Sequence, residues 1–151
     1  MMMKGKTLDL VLADDDTDDC LFFRDVLDEL EVTVALTMVG DGEELMQLLL
    51  SKEVPTPDAI YLDLNMPRKN GYECLLEIKK HIALKKLPII IYSTSLNEDV
   101  VDRVYNSGAS YYIQKPAEFK ALKAVILKSI LLIPKIRAGQ TAKENFVLNR
   151  K

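Results

Sequence analysis

The chain has 151 residues, of which 48% are hydrophobic and 28% charged, a composition typical of one soluble globular domain with a full apolar core. Its net charge of −3 argues against a general nucleic-acid-binding surface. Cys20 and Cys74 lack CxxC spacing, which favours a reduced, cytoplasmic protein. We expect neither secretion nor membrane insertion, because the N-terminus has no long apolar segment and residues 121–134 are too short and too charged to span a bilayer.

Short apolar segments alternate with longer, helically periodic ones, which predicts repeated βα units and a parallel sheet. We place five strands at residues 8–13, 32–39, 59–62, 89–92 and 110–114. A helix follows each strand, and the five helices begin near Thr17, Asp41, Gly71, Asn97 and Ala117. The fourth strand is almost continuously apolar, as is typical of a strand buried on both faces of a parallel sheet. The sequence therefore predicts an α/β, doubly wound domain.

Helix-capping residues support several of these boundaries. Thr17 is a candidate N-cap for the first helix, with acidic residues in the following turn. Asp41 has Glu44 three residues later, as in a capping box. Gly108 fits the position that follows the fourth helix.

The C-terminal residues have a different composition from the rest of the chain. We assign residues 1–134 to the folded domain and residues 135–151 to a polar, basic tail. Within the tail, Phe146, Val147 and Leu148 form an isolated apolar group. We expect the tail to be flexible, or ordered by a partner.

Polar side chains follow four of the predicted strands. Asp14 and Asp15 follow the first strand and Asp63 the third, while Ser93 and Lys115 follow the fourth and the fifth. The carboxyl ends of parallel strands meet at one edge of a sheet, which is where open α/β sheets hold their sites. We therefore expect these side chains to form one cluster.

The chemistry of this cluster suits phosphoryl transfer. Three carboxylates close together repel one another and favour a hard divalent cation such as Mg²⁺ among them. Lys115 is a point charge able to hold a phosphoryl oxygen, and Ser93 adds a neutral hydrogen-bond donor. A carboxylate nucleophile, a metal and a lysine are the parts expected where an aspartyl phosphate forms, and Asp63 is the candidate nucleophile.

These residues, in this order, resemble the receiver domain of two-component response regulators. The matching elements are Asp14-Asp15, the Asp63 to Pro67 segment with Gly71, Ser93-Thr94 and Lys115-Pro116. The resemblance covers residues 8–133. No output domain follows in this sequence, so we expect a stand-alone regulator of the chemotaxis or phytochrome-partner type.

The resemblance implies a flavodoxin-like fold, with a five-stranded parallel sheet in the order 2-1-3-4-5 and five helices. It implies that Asp63 accepts a phosphoryl group from a sensor histidine kinase or a phosphotransfer protein. Asp14 and Asp15 would hold Mg²⁺ together with Asp63 and the backbone carbonyl of Asn65. We expect a signalling domain that phosphorylates and dephosphorylates itself, and not a turnover enzyme.

Further roles come from the same resemblance. Lys115 would pair with a phosphoryl oxygen, and its bond to Pro116 can be cis. Ser93, which stands where threonine is common, would move toward the phosphoryl group, and the aromatic switch Tyr112 would follow it. Asn65 and Ser95 occupy the positions that tune dephosphorylation, and we expect a phosphate lifetime of moderate length.

The resemblance also implies an output surface made of the fourth helix, the fifth strand and the fifth helix. This surface would bind a partner or form a homodimer, without direct nucleic-acid binding. Val101, Tyr105 and Tyr111 are its candidate contact residues, although inward packing is the simpler interpretation of the first two.

Two other functions remain open from the residues. The Asp14–Asp19 segment loosely resembles the nucleophile motif of haloacid-dehalogenase-type phosphatases, but Thr17 falls one place too early and Asp63 is left unexplained. The chain is also short for such an enzyme's cap domain. Alternatively, the domain is a degenerate receiver that binds its partners without phosphate.

Other interpretations of single residues do not involve phosphoryl transfer. Asp14, Asp16, Asp18 and Asp25 have the spacing of a broken calcium loop, but Asp19 stands where the sharp turn needs glycine. His81, the single histidine, lies among lysines and is better interpreted as solvated than as a phosphohistidine.

Overall fold

The structure is a computed structural model that describes residues 7–149, with residues 137 and 138 described by their backbone alone. All five predicted strands are present: β1 (Leu8–Ala13), β2 (Val34–Val39), β3 (Ala59–Leu62), β4 (Ile89–Ser93) and β5 (Tyr111–Gln114). They pair in parallel in the order β2-β1-β3-β4-β5, which confirms the expected doubly wound topology.

Five α-helices alternate with the strands: α1 (Thr17–Glu29), α2 (Gly42–Leu50), α3 (Gly71–Lys80), α4 (Glu98–Asn106) and α5 (Phe119–Leu132). One apolar core lies between the sheet and α2, α3 and α4, and includes Leu45, Cys74 and Val104. The other core lies between the sheet and α1 and α5, and includes Phe23 and Ile126. Both faces of the sheet are therefore covered. This explains why the inner strands have apolar side chains along their whole length.

The starts of the first two helices differ in detail from the predicted caps. Asp16, and not Thr17, caps α1, because its side chain accepts a hydrogen bond of 3.0 Å from the Asp19 N–H. Asp41 caps α2 as predicted, accepting from the Glu44 N–H at 2.8 Å. The Glu44 side chain accepts from the Gly40 N–H, one residue before the position that a capping box uses.

The register of the sheet brings the strand ends level with one another. Leu62 at the end of β3 pairs with Ala13 at the end of β1 and with Ile91 in β4. Ser93, the last residue of β4, pairs with Gln114, the last residue of β5. The residues that follow β1, β3 and β5 therefore start from neighbouring points on one edge of the sheet.

The C-terminal residues pack against the domain, in contrast to the flexible tail that we expected from residue 135. A 3-10 helix, Ile133–Ala138, continues α5. Gly139 (φ +119°) then begins a second segment. We call residues 140–149 the C-terminal strap. Its Val147 forms a parallel β-bridge with Tyr112 of β5, so the strap extends the sheet beyond its fifth strand.

The apolar group in the strap explains this packing. Phe146 is fully buried, and Val147 and Leu148 are almost so. Three apolar residues in a polar stretch are too few to show a strand or helix period, so their docking position cannot be predicted from the pattern. The end of the domain at residue 134 remains a prediction.

Within residues 7–149, none of the helices combines the length and the apolar character that crossing a membrane requires.

Candidate functional site

Asp63 lies at the carboxyl end of β3 and is almost completely buried, with 5% of its surface exposed. Its N–H donates to the Ala13 carbonyl at 2.9 Å, which ties it to the end of β1. The Gly71 N–H donates to the Leu64 carbonyl at 3.1 Å and so closes the loop after Asp63. The Asn65 N–H donates to Asp63 Oδ1 at 3.3 Å and orients the carboxylate.

Gly71 is required for this loop because the chain approaches itself closely there. A Cβ atom at Gly71 would overlap the carbonyl oxygen of Asp63 and would lie 2.8 Å from the Leu64 Cα. Both neighbours are backbone atoms, so relief requires the acceptor loop to move.

We expect Gly71→Ala to lower the free energy of unfolding by about 2 kcal/mol, since overpacking against rigid backbone is costly. Chemical denaturation monitored by circular dichroism would measure this change. Gly40→Ala is the matched control, because a Cβ there meets only the flexible Glu44 side chain, at 3.9 Å. Equal stability of the two variants would contradict the steric role of Gly71.

Three carboxylates converge as predicted. Asp14, Asp15 and Asp63 each offer one oxygen, and these oxygens lie within 4.8 Å of one another. Asp14 and Asp63 are buried, while Asp15 is exposed to solvent. Three hard oxygen donors with one open side fit a hydrated divalent cation such as Mg²⁺.

Among residues 7–149, no other group of three such acids converges in this way. The acids of the alternative calcium loop are therefore not assembled around one point, and Asp16 is engaged as the cap of α1.

The electrostatics of Asp63 also fit a cation. Burial raises the pKa of its carboxyl group from 3.8 to about 6, and the neighbouring Asp14 adds to the rise, while Lys115 opposes it. These surroundings therefore disfavour the ionised form of Asp63, and a cation among the carboxylates would favour it.

Lys115 contacts three carboxylates and not Asp63 alone. Its buried ammonium group donates to Asp14 Oδ2 at 2.7 Å and to Asp19 Oδ2 at 2.8 Å. Its distance to Asp63 Oδ2 is 3.6 Å. Burial lowers the pKa of Lys115, but the hydrogen bonds to Asp14 and Asp19 more than offset this effect, so the pKa is raised and the ammonium stays charged.

Asp19 is a member of the site that the sequence did not reveal, because we interpreted it as a first-turn acid of α1. The capping of α1 by Asp16 starts the helix directly at the strand edge. A first-turn side chain of that helix can therefore reach the end of β5. Asp19 could have been identified from the sequence as an acidic residue in the first helical turn after the strand that leads to Asp14 and Asp15.

Ser93 and Tyr112 meet at a residue between them, Ser95. The Ser93 hydroxyl accepts from the Ser95 N–H at 3.3 Å, and the two hydroxyl oxygens are 3.2 Å apart. The Tyr112 hydroxyl donates to the Ser95 carbonyl at 2.8 Å. Both Ser93 and Tyr112 are fully buried, so Ser95 joins the two residues to which we assigned the switch.

Other expectations for this region are changed by the structure. The bond between Lys115 and Pro116 is trans, since none of the described residues has a cis peptide bond. Val101 is buried, and Tyr105 is half-buried beneath the strap, so neither forms the free contact surface that we considered. Tyr111 is half-exposed.

A doubly wound parallel sheet with a carboxylate cluster and a buried lysine at its carboxyl edge defines a class of phosphoryl-accepting signalling domains. The family model described as the response regulator receiver domain matches residues 10–127. The chain belongs to this family, and it is a receiver domain of two-component signalling.

Curated relatives span most of this chain. It is 33% identical over 117 residues to the response regulator Rcp1 of Synechocystis sp., a match that covers 75% of this chain and 80% of Rcp1. It is 26% identical over 120 residues to the probable methanogenesis regulatory protein FilR2 of Methanothrix harundinacea, covering 78% of this chain and 77% of FilR2.

Two solved structures are similar in fold and sequence. The Mn²⁺-bound form of Rcp1 superimposes with a TM-score of 0.75 at 29% identity, covering 89% of this chain and 99% of Rcp1. The phosphorylated cyanobacterial phytochrome response regulator RcpA gives a TM-score of 0.75 at 33% identity, covering 83% of this chain and 92% of RcpA.

Proposed function

We propose that Asp63 accepts a phosphoryl group from the phosphohistidine of a sensor histidine kinase or a phosphotransfer protein, in a Mg²⁺-dependent reaction that switches partner binding. The observation that carries the proposal is the convergence of Asp14, Asp15 and Asp63 beside the buried ammonium group of Lys115. The relatives Rcp1 and RcpA, solved with Mn²⁺ and in a phosphorylated form, support the same chemistry.

In the transfer step, a carboxylate oxygen of Asp63 attacks the phosphorus atom. A P–O bond forms as the P–N bond of the donor breaks, and the bonding electron pair leaves with the imidazole nitrogen. Asp14, Asp15, Asp63 and the Asn65 carbonyl would hold Mg²⁺, which supplies positive charge against the carboxylates and the phosphoryl oxygens.

Side chains around Asp63 would then stabilise the aspartyl phosphate. Lys115 has two N–H groups engaged by Asp14 and Asp19, and its third can reach a phosphoryl oxygen on Asp63. The Ser93 hydroxyl would turn from Ser95 to the phosphoryl group. This domain acts on itself and is not a turnover enzyme.

The proposal also covers the protein's binding partners and its location in the cell. The output surface is that of α4, β5 and α5, for a downstream protein or a second copy of the chain. Resemblance to RcpA, a phytochrome response regulator, favours a stand-alone regulator of phytochrome-partner type. We place the protein in the cytoplasm, where a reducing environment suits Cys20 and Cys74, which are buried and unpaired.

Intact mass after incubation with Mg²⁺ and acetyl phosphate tests the function. We expect a phosphoryl adduct on the wild type that is absent from Asp63→Asn and is prevented by a chelator. An adduct that survives in Asp63→Asn but is lost in Asp14→Asn would favour the phosphatase-type alternative. No adduct with acetyl phosphate or a phosphorylated kinase would favour a phosphate-independent module.

The contact between Asp19 and Lys115 makes a separate prediction. We expect Asp19→Asn to slow phosphorylation by about tenfold, because a charge-assisted hydrogen bond that positions the ammonium is weakened. The initial rate of adduct formation measures this effect. Asp18→Asn is the matched control, since it removes the same charge from an exposed position in the same helical turn. Equal rates for the two variants would show that Asp19 does not position Lys115.

A further inference from the structure

The C-terminal strap packs against α4 and β5. Its Phe146 ring packs edge-on against two tyrosines, with centroid distances of 5.0 Å to Tyr105 and 6.2 Å to Tyr112. The Tyr105 hydroxyl donates to the Thr141 carbonyl at 2.7 Å, and Lys143 forms a 2.5 Å ion pair with Asp102 of α4. Phe146 therefore fills an aromatic slot that would otherwise open to solvent.

The strap also satisfies the backbone of β5. The Tyr112 N–H donates to the Phe146 carbonyl at 3.0 Å, and the Leu148 N–H donates to the Tyr112 carbonyl at 2.9 Å. The Asn149 side chain continues this ladder, accepting from the Gln114 N–H at 3.1 Å and donating to the Gln114 carbonyl at 2.7 Å. Without the strap, β5 would present these groups as an edge that can receive an extended segment.

Hydrogen bonds also connect β5 with the loop that follows Ser93, the last residue of β4, in the site around Asp63. The Tyr112 hydroxyl bonds the Ser95 carbonyl, and Ser95 bonds the Ser93 hydroxyl. The Gln114 side chain donates to the Thr94 carbonyl at 3.2 Å, which is a second link between β5 and this loop. A continuous series of contacts through Tyr112 and Ser95 therefore connects Phe146 of the strap with Ser93 of the site.

We propose that the C-terminal strap is an intramolecular occupant of a strand-addition surface on β5, and that phosphorylation of Asp63 releases it to admit an extended segment of a partner protein. This inference rests on the proposed function. The strap itself indicates the partner's chemistry: a parallel extended segment that places an aromatic side chain between Tyr105 and Tyr112, followed by apolar residues.

The coupling follows from the hydrogen bonds. When the Ser93 hydroxyl turns to the phosphoryl group, it leaves Ser95. The Ser95 carbonyl is then no longer held in place as the acceptor for Tyr112, and the aromatic slot around Phe146 loosens. The strap is short, and residues 142–145 are exposed, so a modest change in free energy is enough to shift it from docked to released.

Site-resolved amide hydrogen exchange on the full chain, with and without Mg²⁺ and acetyl phosphate, tests the release. In the phosphorylated protein we expect exchange at Tyr112 and Leu148 to accelerate about tenfold or more, because both amides bond across the strap interface. The Ile60 amide, which bonds Pro88 within the central sheet, is the internal control and stays unchanged. Unchanged or slower exchange at Tyr112 and Leu148 would overturn the inference.

A peptide with the sequence of residues 140–149, added in trans, tests the surface. We expect it to bind full-length Phe146→Ala, whose strap is weakened, and not to bind when the phenylalanine of the peptide is replaced by alanine. Asn149→Ala is a milder second variant, should Phe146→Ala fail to fold. Absence of peptide binding to either variant, or dimerisation of the variants in its place, would overturn the assignment to a partner segment.

Intact mass recorded on the exchange samples separates the two proposals. An adduct on Asp63 with a strap that remains protected refutes the release and leaves the proposed function standing. If no adduct forms with acetyl phosphate or with a phosphorylated kinase, the proposed function fails, and the phosphorylation-dependent release fails with it.

Discussion

Asp63→Asn is expected to raise the free energy of unfolding of the metal-free domain by about 2–3 kcal/mol at neutral pH. The reason is that the folded protein raises the pKa of this carboxyl from 3.8 to about 6, and each pKa unit corresponds to about 1.4 kcal/mol. Burial and the nearby Asp14 disfavour the ionised form. Asparagine removes the charge and keeps the shape.

The pH dependence of this effect has a definite sign. The folded state binds the Asp63 proton more tightly than the unfolded state, so the carboxyl favours folding most below about pH 4 and loses this contribution as pH rises through about 6. The advantage of Asp63→Asn over the wild type should therefore be small at pH 4 and full above pH 7.

Chemical denaturation from pH 4 to pH 8 with chelator present measures this difference. Adding Mg²⁺ should then stabilise the wild type more than Asp63→Asn, since the variant lacks one of three carboxylates. A variant less stable than the wild type at pH 7 in chelator would contradict the unfavourable ionisation that we assign to Asp63.

Phe146→Ala is expected to lower the free energy of unfolding by about 4 kcal/mol, the usual cost of deleting a buried aromatic side chain. Phe146 is fully buried between Tyr105 and Tyr112, and its loss leaves a cavity beside β5. The strap can also undock while the rest of the domain stays folded. If docking the strap contributes less than about 4 kcal/mol, the variant loses only that smaller free energy.

Thermal or chemical denaturation measures the loss, and Leu131→Ala is the control. Leu131 lies on α5 with 44% of its surface exposed, so its truncation should change stability by less than about 0.5 kcal/mol. A Phe146→Ala variant as stable as Leu131→Ala would mean that the tail is free in solution, as the sequence led us to expect.

The sequence predicts well what depends on period and position along a strand. Apolar segments of strand length located all five strands, and the polar residues that follow β1, β3 and β5 include Asp14, Asp63 and Lys115. This succeeded because a parallel sheet brings its carboxyl ends to one edge whatever the details of packing. The alternation of strands and helices likewise led to the doubly wound class.

Contacts between elements that are distant in the sequence could not be predicted from period and position. Asp19 reaches Lys115 because Asp16 caps α1, and a cap one residue earlier or later would rotate the Asp19 side chain by about 100° around the helix axis. Ser95 joins Ser93 to Tyr112 through one carbonyl and one amide, which leave no trace in residue type. The strap docks through a few apolar residues whose destination is set by a slot in the folded domain.

The docked strap also affects how copies of this protein behave at high concentration. Parallel sheets end in strands whose outer N–H and C=O groups can pair with another molecule, and proteins guard such edges to avoid aggregation. Here β5 is covered by the chain's own residues, while β2 forms the opposite edge. Any state in which the strap is undocked therefore carries an aggregation risk, so the strap contributes to solubility as well as to stability.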